Sequence, residues 1–255
     1  MGELATDRLI PVEEHHDSWT YHRSITVRRN RHSGHAELED DFHRLGVDLD
    51  LKDGVIIGTD GYFKRAPWST CSGATMLLEG LVGLTLSEIA NRQIADRHLH
   101  CTHLLDLAES VARQTSEADH LAQRIDMTVE LSNYRKVVAA ELYVDGQTFL
   151  DWTIADGVIV APEAFAGQPL SSLLGWIQVS QHRELATHVW MLRRAIHIAH
   201  GKNLLLDQLE TAADLYDGWT QAIHTCHTLQ PDRIHSALRN RETVRHFTSS
   251  AQLLA

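Results

Sequence analysis

Apolar and polar side chains alternate along several parts of the chain with the two-residue period of a β-strand. Within 37–51, every second residue from Leu45 to Leu51 is apolar, and Asp48 and Asp50 lie between them. This alternation predicts a sheet with one buried face and one solvated face. Such patterns predict strands at 20–30, 37–51, 54–65, 124–132, 136–146 and 148–154.

The spacing becomes helical after the third of these segments. Apolar residues recur at intervals of three and four, which predicts amphipathic helices at about 71–90 and 102–117. Helical spacing returns from about residue 170. We therefore predict an α+β fold, in which an antiparallel sheet carries helices on one face and a helical C-terminal extension follows. The expected division is an N-terminal tail at 1–18, an α+β core domain at 19–160, the extension at 161–230 and a C-terminal tail at 231–255.

Composition argues against some classes of partner. The formal net charge is −11, which disfavours nonspecific binding to nucleic acid and to anionic membranes. No apolar stretch approaches the roughly 20 residues of a membrane-spanning helix, and the first residues lack a signal-peptide core. Three cysteines, an odd number, fit a reducing compartment, so we expect a cytoplasmic protein. The 18 histidines supply acid–base and metal-ligand capacity near neutral pH.

Candidate chemistry is concentrated in three short stretches: PWSTCSGA at 67–74, HLHCTHLLDLA at 98–108 and HTCHTLQP at 224–231. In the first two, Cys71 and Cys101 lie where a predicted helix begins, and the N–H groups of a helix N-terminus favour a thiolate. His103 lies at the edge of the apolar stripe of the second helix. The two helix N-termini can therefore direct these side chains into one crevice, to which the third stretch adds Cys226.

Each of these residues also has a purely structural interpretation. A cysteine is often a small buried apolar residue, and periodicity does not separate that role from a reactive one. A lone histidine such as His43 more often has a solvated or hydrogen-bonded structural role. The sequence contains no CxxC pair, HExxH, Walker loop or GxGxxG motif. The case for a site is the convergence of several weaker patterns.

Three segments in order resemble a bacterial family, the domain of unknown function 2889. The segments are DDFHRLGVDLDLKDGVI, RAPWSTCSGATMLLEGLVGLTL and CTHLLDLA, and the likeness covers most of residues 20–155. This resemblance implies no particular activity.

The same segments have a fainter similarity to iron–sulfur scaffold proteins of the NifU-like fold. On that resemblance, Cys71, the pair His100–Cys101 and Asp41 match scaffold ligand positions, whereas the first scaffold cysteine falls at Glu39. The missing sulfur disfavours a transferable cluster, because such clusters are usually held by cysteines. A mixed site for Zn²⁺ or Fe²⁺ is a better fit. Its candidate ligands are Cys71, Cys101, His103, Asp41 and Cys226.

Three classes of function follow from these patterns. The first is a small-molecule enzyme of bacterial catabolism, of lyase or hydrolase type, with an apolar or aromatic substrate. In it, His103 or His100 would act as base and Asp41 as ligand or orienting group. The second class is a non-catalytic small-molecule or regulatory binding module, and the third is a metal or iron–sulfur carrier. The extension and the histidines favour the enzyme, and the missing cysteine argues against the carrier.

Overall fold

The computed structural model describes residues 18–113, 121–132, 136–182, 185–216 and 226–255. Four predictions fall partly outside these ranges. They are the N-terminal tail, the end of the helix predicted to reach residue 117, the extension at 161–230 and the candidate stretch at 224–231.

Within the described residues, an eight-stranded antiparallel sheet forms the centre of the fold. The strands are β1 Ser18–Arg29, β2 Ser33–Asp40, β3 Arg44–Lys52, β4 Val55–Arg65, β5 Leu121–Ser132, β6 Lys136–Val144, β7 Gln147–Ala155 and β8 Val158–Ala161. Their order across the sheet is β4-β3-β2-β1-β5-β6-β7-β8, so β1 and β5 lie side by side at the centre. The predicted α+β fold with an antiparallel sheet is confirmed.

The alternation in β3 has the predicted consequence for burial. Leu45, Val47 and Leu49 are buried, whereas Asp48 and Asp50 are exposed. The chain reverses into β4 through Asp53 and Gly54, whose φ angles of 51° and 77° are those of a tight hairpin turn. The alternating pattern in the sequence thus identifies which side chains of β3 lie on the buried face of the sheet.

Helices cover the apolar face of this sheet. The α-helices are α1 Leu86–Ala90, α2 Thr102–Arg113, α3 Leu173–Val179, α4 Ala186–Ala199 and α5 Ala212–Tyr216. The 3-10 helices include Cys71–Leu81, Arg97–Leu99, Glu163–Phe165, His200–Asn203, Leu206–Gln208, His227–Leu229 and Ser250–Gln252. α2 packs on β1, β2 and β3, and α4 packs on β5 and β6. The apolar stripe predicted for α2 is the surface that it buries, including Leu104, Leu107 and Val111.

The prediction of one helix over 71–90 is wrong in type and extent. A 3-10 helix spans Cys71–Leu81, and the short α1 begins only at Leu86. Between them the backbone pairs with β4, because Gly83 N–H donates to the Ile56 carbonyl at 2.8 Å and Ile56 N–H donates to the Leu84 carbonyl at 3.0 Å. Backbone pairing with the sheet replaces helical hydrogen bonds there, a tertiary effect that local periodicity does not report.

The last residues of the chain pack on the opposite, polar face of the sheet. Arg124 on β5 donates from Nη2 to the carbonyls of Ser250 and Leu253, at 2.7 and 3.3 Å. The Leu254 N–H donates to Oε2 of Glu39 on β2 at 2.7 Å. This segment covers the centre of the polar face, which explains why Glu39 is buried. None of the helices in the described ranges has the length and apolar character required to cross a bilayer.

Candidate functional site

A buried carboxylate ends β2 and shapes the turn into β3. Oδ1 of Asp40 accepts the backbone N–H groups of Phe42 and His43, both at 2.8 Å. This is the local turn that aspartate favours, because its short side chain reaches the N–H groups two and three residues later. The same oxygen lies 3.0 Å from Nδ1 of His43, so the turn also fixes the orientation of that imidazole.

The second oxygen of Asp40 faces β1. Arg23 lies directly opposite Asp40 in the β1–β2 register, and its Nη2 donates to Oδ2 at 2.6 Å. The Tyr21 hydroxyl donates to the same oxygen at 2.8 Å and accepts from Nε of Arg23 at 2.9 Å. Burial by itself raises the pKa of Asp40, but the neighbouring His43 and Arg23 side chains outweigh it and hold the pKa well below its usual value. Asp40 is therefore an ionised carboxylate in the interior.

His103, at the start of α2, completes this cluster. Its ring centroid lies 4.3 Å from that of His43, and its Nε2 lies 3.4 Å from Nη2 of Arg23. Burial lowers the pKa of His103 well below its usual value, and the neighbouring His43 and Arg23 side chains lower it further. A guanidinium can only donate, so Nε2 of His103 is an acceptor and the imidazole is neutral. We call Tyr21, Arg23, Asp40, His43 and His103 the acid–base cluster.

The hydrogen bonds assign the proton on His43. An ionised carboxylate only accepts, so Nδ1 of His43 carries the hydrogen that faces Asp40. The other ring nitrogen, Nε2, is then the one that can take up a proton. A carboxylate that orients an imidazole in this way is the usual arrangement of a histidine general base.

Asp40, His43 and His103 also have the donor types of a metal site, and their candidate ligand atoms all lie within 4.8 Å of one another. The surroundings do not fit a cation. Both oxygens of Asp40 already accept hydrogen bonds from protein groups, and the guanidinium of Arg23 already neutralises the carboxylate. A divalent ion would have to displace Arg23, so this cluster fits acid–base chemistry better than metal binding.

The five predicted metal ligands are divided among three places. His103 belongs to the acid–base cluster. The Asp41 carboxylate forms a buried ion pair with Lys202, whose Nζ lies 2.5 Å from Oδ2. Burial raises the pKa of Asp41 to about 6, although Lys202 opposes this rise. The three cysteines lie elsewhere, at a third place.

Cys71, Cys101 and Cys226 meet where the C-terminal segment crosses the starts of two helices. Sγ of Cys71 lies 3.5 Å from Oγ1 of Thr228, two residues after Cys226. Burial raises the pKa of Cys71 to about 11, and it raises the pKa values of Cys101 and Cys226 as well. The prediction of thiolates at helix entries is therefore wrong, because desolvation outweighs the backbone N–H groups near each sulfur.

His100 lies beside this cysteine junction. Its carbonyl accepts the His227 N–H at 3.0 Å, and burial lowers the pKa of its imidazole. His100 and His103 therefore lie at different sites: His100 lies beside the cysteines, and His103 lies beside Asp40.

A cleft of about 460 Å³ lies between the helices of the core and those of the extension. Its walls are Ala90, Asn91, Arg92, Asp106, Glu109, Ser110 and Arg113 on one side, and Gln178, Ala186, Thr187, Trp190 and Met191 on the other. The extension supplies one wall of this cleft, but the starts of the two core helices and the predicted site residues do not line it.

The cleft and the acid–base cluster share α2. At 100° per residue, His103, Asp106, Ser110 and Arg113 fall within about 80° of its circumference. Arg194 from α4 joins the two places, because its Nε lies 3.2 Å from Oδ2 of Asp106 and its charge contributes to the lowered pKa of His103. His103 therefore lies one helical turn from the cleft wall.

Sequence reasoning missed Tyr21, Arg23, Asp40 and His43 as a group. One signal was available in DDFH at 40–43, where an aspartate precedes a histidine by three residues at a strand end. The pairing of Arg23 with Asp40 depends on strand register, which the sequence pattern did not supply.

Comparison with known families covers the part of the chain that holds the acid–base cluster. Residues 7–116 match the model of a family described as a protein of unknown function (DUF2889). The matched segment includes Cys71 and Cys101 but neither Cys226 nor the second wall of the cleft. A search of curated proteins found no match. The likeness to iron–sulfur scaffold proteins stays a prediction. The match at 7–116 supports the resemblance to the DUF2889 family that the sequence indicated.

Proposed function

We propose that this protein is an enzyme of lyase or hydrolase type that acts on a small organic molecule through the acid–base cluster. The observation that carries the proposal is the orientation of His43: ionised Asp40 holds its Nδ1 at 3.0 Å, which leaves Nε2 to accept a proton. A positioned imidazole of this kind serves either to activate water for hydrolysis or to remove a proton for elimination.

The neighbouring residues have supporting roles in this proposal. Arg23 and Tyr21 keep Asp40 ionised and fixed, so they act as positioning residues. Neutral His103 has one hydrogen, on Nδ1, and can donate it in a hydrogen bond that stabilises a developing negative charge. The cluster requires no metal for these steps.

The composition of the cleft supports an amphipathic substrate. Trp190 and Met191 offer an aromatic and apolar wall, in keeping with an apolar or aromatic body. Arg92 and Arg113 line the same cleft, and Cζ of Arg92 lies 3.8 Å from the centroid of the Trp190 ring. These cations favour a substrate that carries an acidic group, although Asp106 and Glu109 partly neutralise Arg92.

The test is a turnover screen with two classes of compound. Chromogenic aryl esters and thioesters of aromatic and aliphatic acids probe hydrolysis, and β-hydroxy acid derivatives probe elimination. For any compound turned over, His43→Asn should lower kcat by about 10²- to 10⁴-fold. His35→Asn is the matched control, since His35 pairs with Asp48 at 2.8 Å on the solvated face. Trp190→Ala should raise KM more than it lowers kcat. Unchanged turnover in His43→Asn would show that His43 is not the general base.

A binding module is the second candidate, and one observation favours it. His43 and His103 are each only 8% exposed, which limits access to both rings. If aromatic acids raise the melting temperature in a Trp190-dependent manner but none is converted, the protein is a binding module and the acid–base cluster is structural.

A further inference from the structure

Positive charge predominates around the cleft, although the whole chain has a formal net charge of −11. Among the described residues, two carboxylates and two arginines line the cleft, and two further arginines pair with these carboxylates without lining it. The carboxylates are those of Asp106 and Glu109, and the arginines are Arg92, Arg113, Arg97 and Arg194. Four positive and two negative charges leave this region with a net charge of +2.

Both carboxylates are already engaged by arginines. The oxygens Oδ1 and Oδ2 of Asp106 lie 3.3 Å from Nη2 of Arg92 and 3.2 Å from Nε of Arg194. Oε1 of Glu109 lies 3.2 Å from Nε of Arg92 and 2.6 Å from Nη1 of Arg97. Burial lowers the pKa of Arg92, and the charges of Arg97 and Arg194 contribute to this lowering. The carboxylates are therefore occupied, and the charge that remains for a ligand is positive.

Arg113, the last residue of α2, carries the part of this charge that is not paired. Its guanidinium donates from Nη2 to the carbonyl of Ala90 at the end of α1. Its charge adds to the effect of burial in lowering the pKa of His188, so the side chain also lies near α4. Among the described residues, no carboxylate forms an ion pair with Arg113. A guanidinium has five N–H donors, so most of those of Arg113 are left for a ligand in the cleft.

We propose that the substrate carries a phosphate group and that Arg113 is the residue of the cleft that recognises it. This inference rests on the proposed function in one respect, since it takes the cleft to be the substrate site. A phosphate monoester carries a charge of about −1.5 to −2 near neutral pH, which matches the charge of the cleft, whereas a carboxylate neutralises only half of it. The planar fork of an arginine also binds two phosphate oxygens at once.

The position of Arg113 also limits the shape of the substrate. His103 and Arg113 lie at opposite ends of α2, and ten residues at 1.5 Å each separate them by about 15 Å. Trp190 and Met191 line the cleft with Arg113, and they offer contacts for an apolar body. The substrate is therefore an elongated molecule that has its phosphate at one end and its reacting group at the other. The phosphate takes no part in the making or breaking of bonds.

Phenyl phosphate and benzoate are the test ligands, because they share a ring and differ in the anion. Binding to the full-length protein is measured by isothermal titration calorimetry at low salt and about pH 8, where phenyl phosphate is a dianion. We expect phenyl phosphate to bind about tenfold more tightly than benzoate. Arg113→Gln should weaken its binding by about 10- to 100-fold. Arg241→Gln is the matched control, because Arg241 is also an exposed arginine that donates to a backbone carbonyl, that of Asp207 at 3.2 Å.

Two further variants make the outcome specific. Arg113→Lys keeps the charge and loses the planar fork, so it should bind phenyl phosphate with intermediate affinity. His43→Asn should bind it as tightly as the wild type, because His43 lies outside the cleft. Equal affinities of the wild-type protein for phenyl phosphate and benzoate, or unchanged binding by Arg113→Gln, would overturn the inference. Neither result bears on His43 as the general base, whose test is turnover.

Discussion

Arg23 lies directly across the β1–β2 pair from Asp40, and its Nη2 donates to Oδ2 of that carboxylate at 2.6 Å in the protein interior. Both side chains are almost completely buried, at 2% and 0% exposure. An ion pair in this position costs desolvation, and breaking it leaves one buried charge without its partner. This ion pair fixes the Asp40 carboxylate, which in turn orients the imidazole of His43.

Removing Arg23 should therefore be strongly destabilising. We expect Arg23→Met to lower the free energy of unfolding by about 3–5 kcal/mol, because Asp40 is left as an uncompensated buried charge. The double variant Arg23→Met/Asp40→Asn should lose less than the sum of the two single variants, since no unpaired charge remains. Urea denaturation measures all three. Lys136→Met, which breaks an exposed ion pair with Asp156, is the control and should change little.

Acid should destabilise the fold through its buried histidines. Burial lowers the pKa values of His22, His100, His103 and His227. Below about pH 6.5 the unfolded chain binds protons that these folded residues do not, so the free energy of unfolding falls as the pH falls. Asp41 opposes this trend, because its pKa is raised to about 6 and the folded state takes up that proton earlier.

Denaturation curves at several values between about pH 7.5 and about pH 5 measure this slope. His22→Gln should make the slope shallower, since one of the histidines with a lowered pKa is removed. A free energy of unfolding that rises towards pH 5 would contradict the neutral state assigned to these imidazoles.

Gly34 sets the distance at which α2 packs on β2. A Cβ added at Gly34 would collide with Cγ1 of Val111 on α2. Gly34→Ala should therefore destabilise the protein by about 1–3 kcal/mol, the usual cost of overpacking, and Val111→Ala in the same chain should recover part of this loss. Gly80→Ala is the control, because no atom lies within 4 Å of the added methyl group. Equal stability of the two alanine variants would show that α2 adjusts without cost.

The short helix α1 depends on its N-terminal cap. The Thr85 hydroxyl accepts the Glu88 N–H at 3.2 Å, and Oε2 of Glu88 accepts the Thr85 N–H at 2.8 Å. Thr85→Ala should lower the free energy of unfolding by about 1 kcal/mol, a typical loss for a capping residue. Ser87→Ala, two residues after the cap in the same helix, should have a smaller effect. Thermal denaturation of both variants distinguishes the cap from a general loss of polar contacts.

Local pattern was sufficient for much of the fold. The alternation at Leu45, Val47 and Leu49 depends only on side-chain direction in an extended strand, and these residues are buried as predicted. The apolar stripe on α2 could also be predicted from the sequence, because helical geometry places residues three and four apart on one face. The backbone pairing of Gly83 and Leu84 with β4 could not be predicted in this way, since local periodicity contains no information about contacts between segments.

For the candidate site, too, some features could be predicted from the sequence and others depend on tertiary contacts. The sequence by itself determined which residue types are present, the helix that carries His103, and the positions of Cys71 and Cys101 at helix starts. It predicted one strand at 37–51, which the structure divides into β2 and β3 at the turn that holds His43. Only the tertiary structure decided that Arg23 faces Asp40, that Asp41 pairs with Lys202, and that burial keeps the thiols protonated. The physical reason is that register, burial and pKa arise from contacts between residues far apart in the chain, whereas periodicity reports only the direction of each side chain from its own backbone.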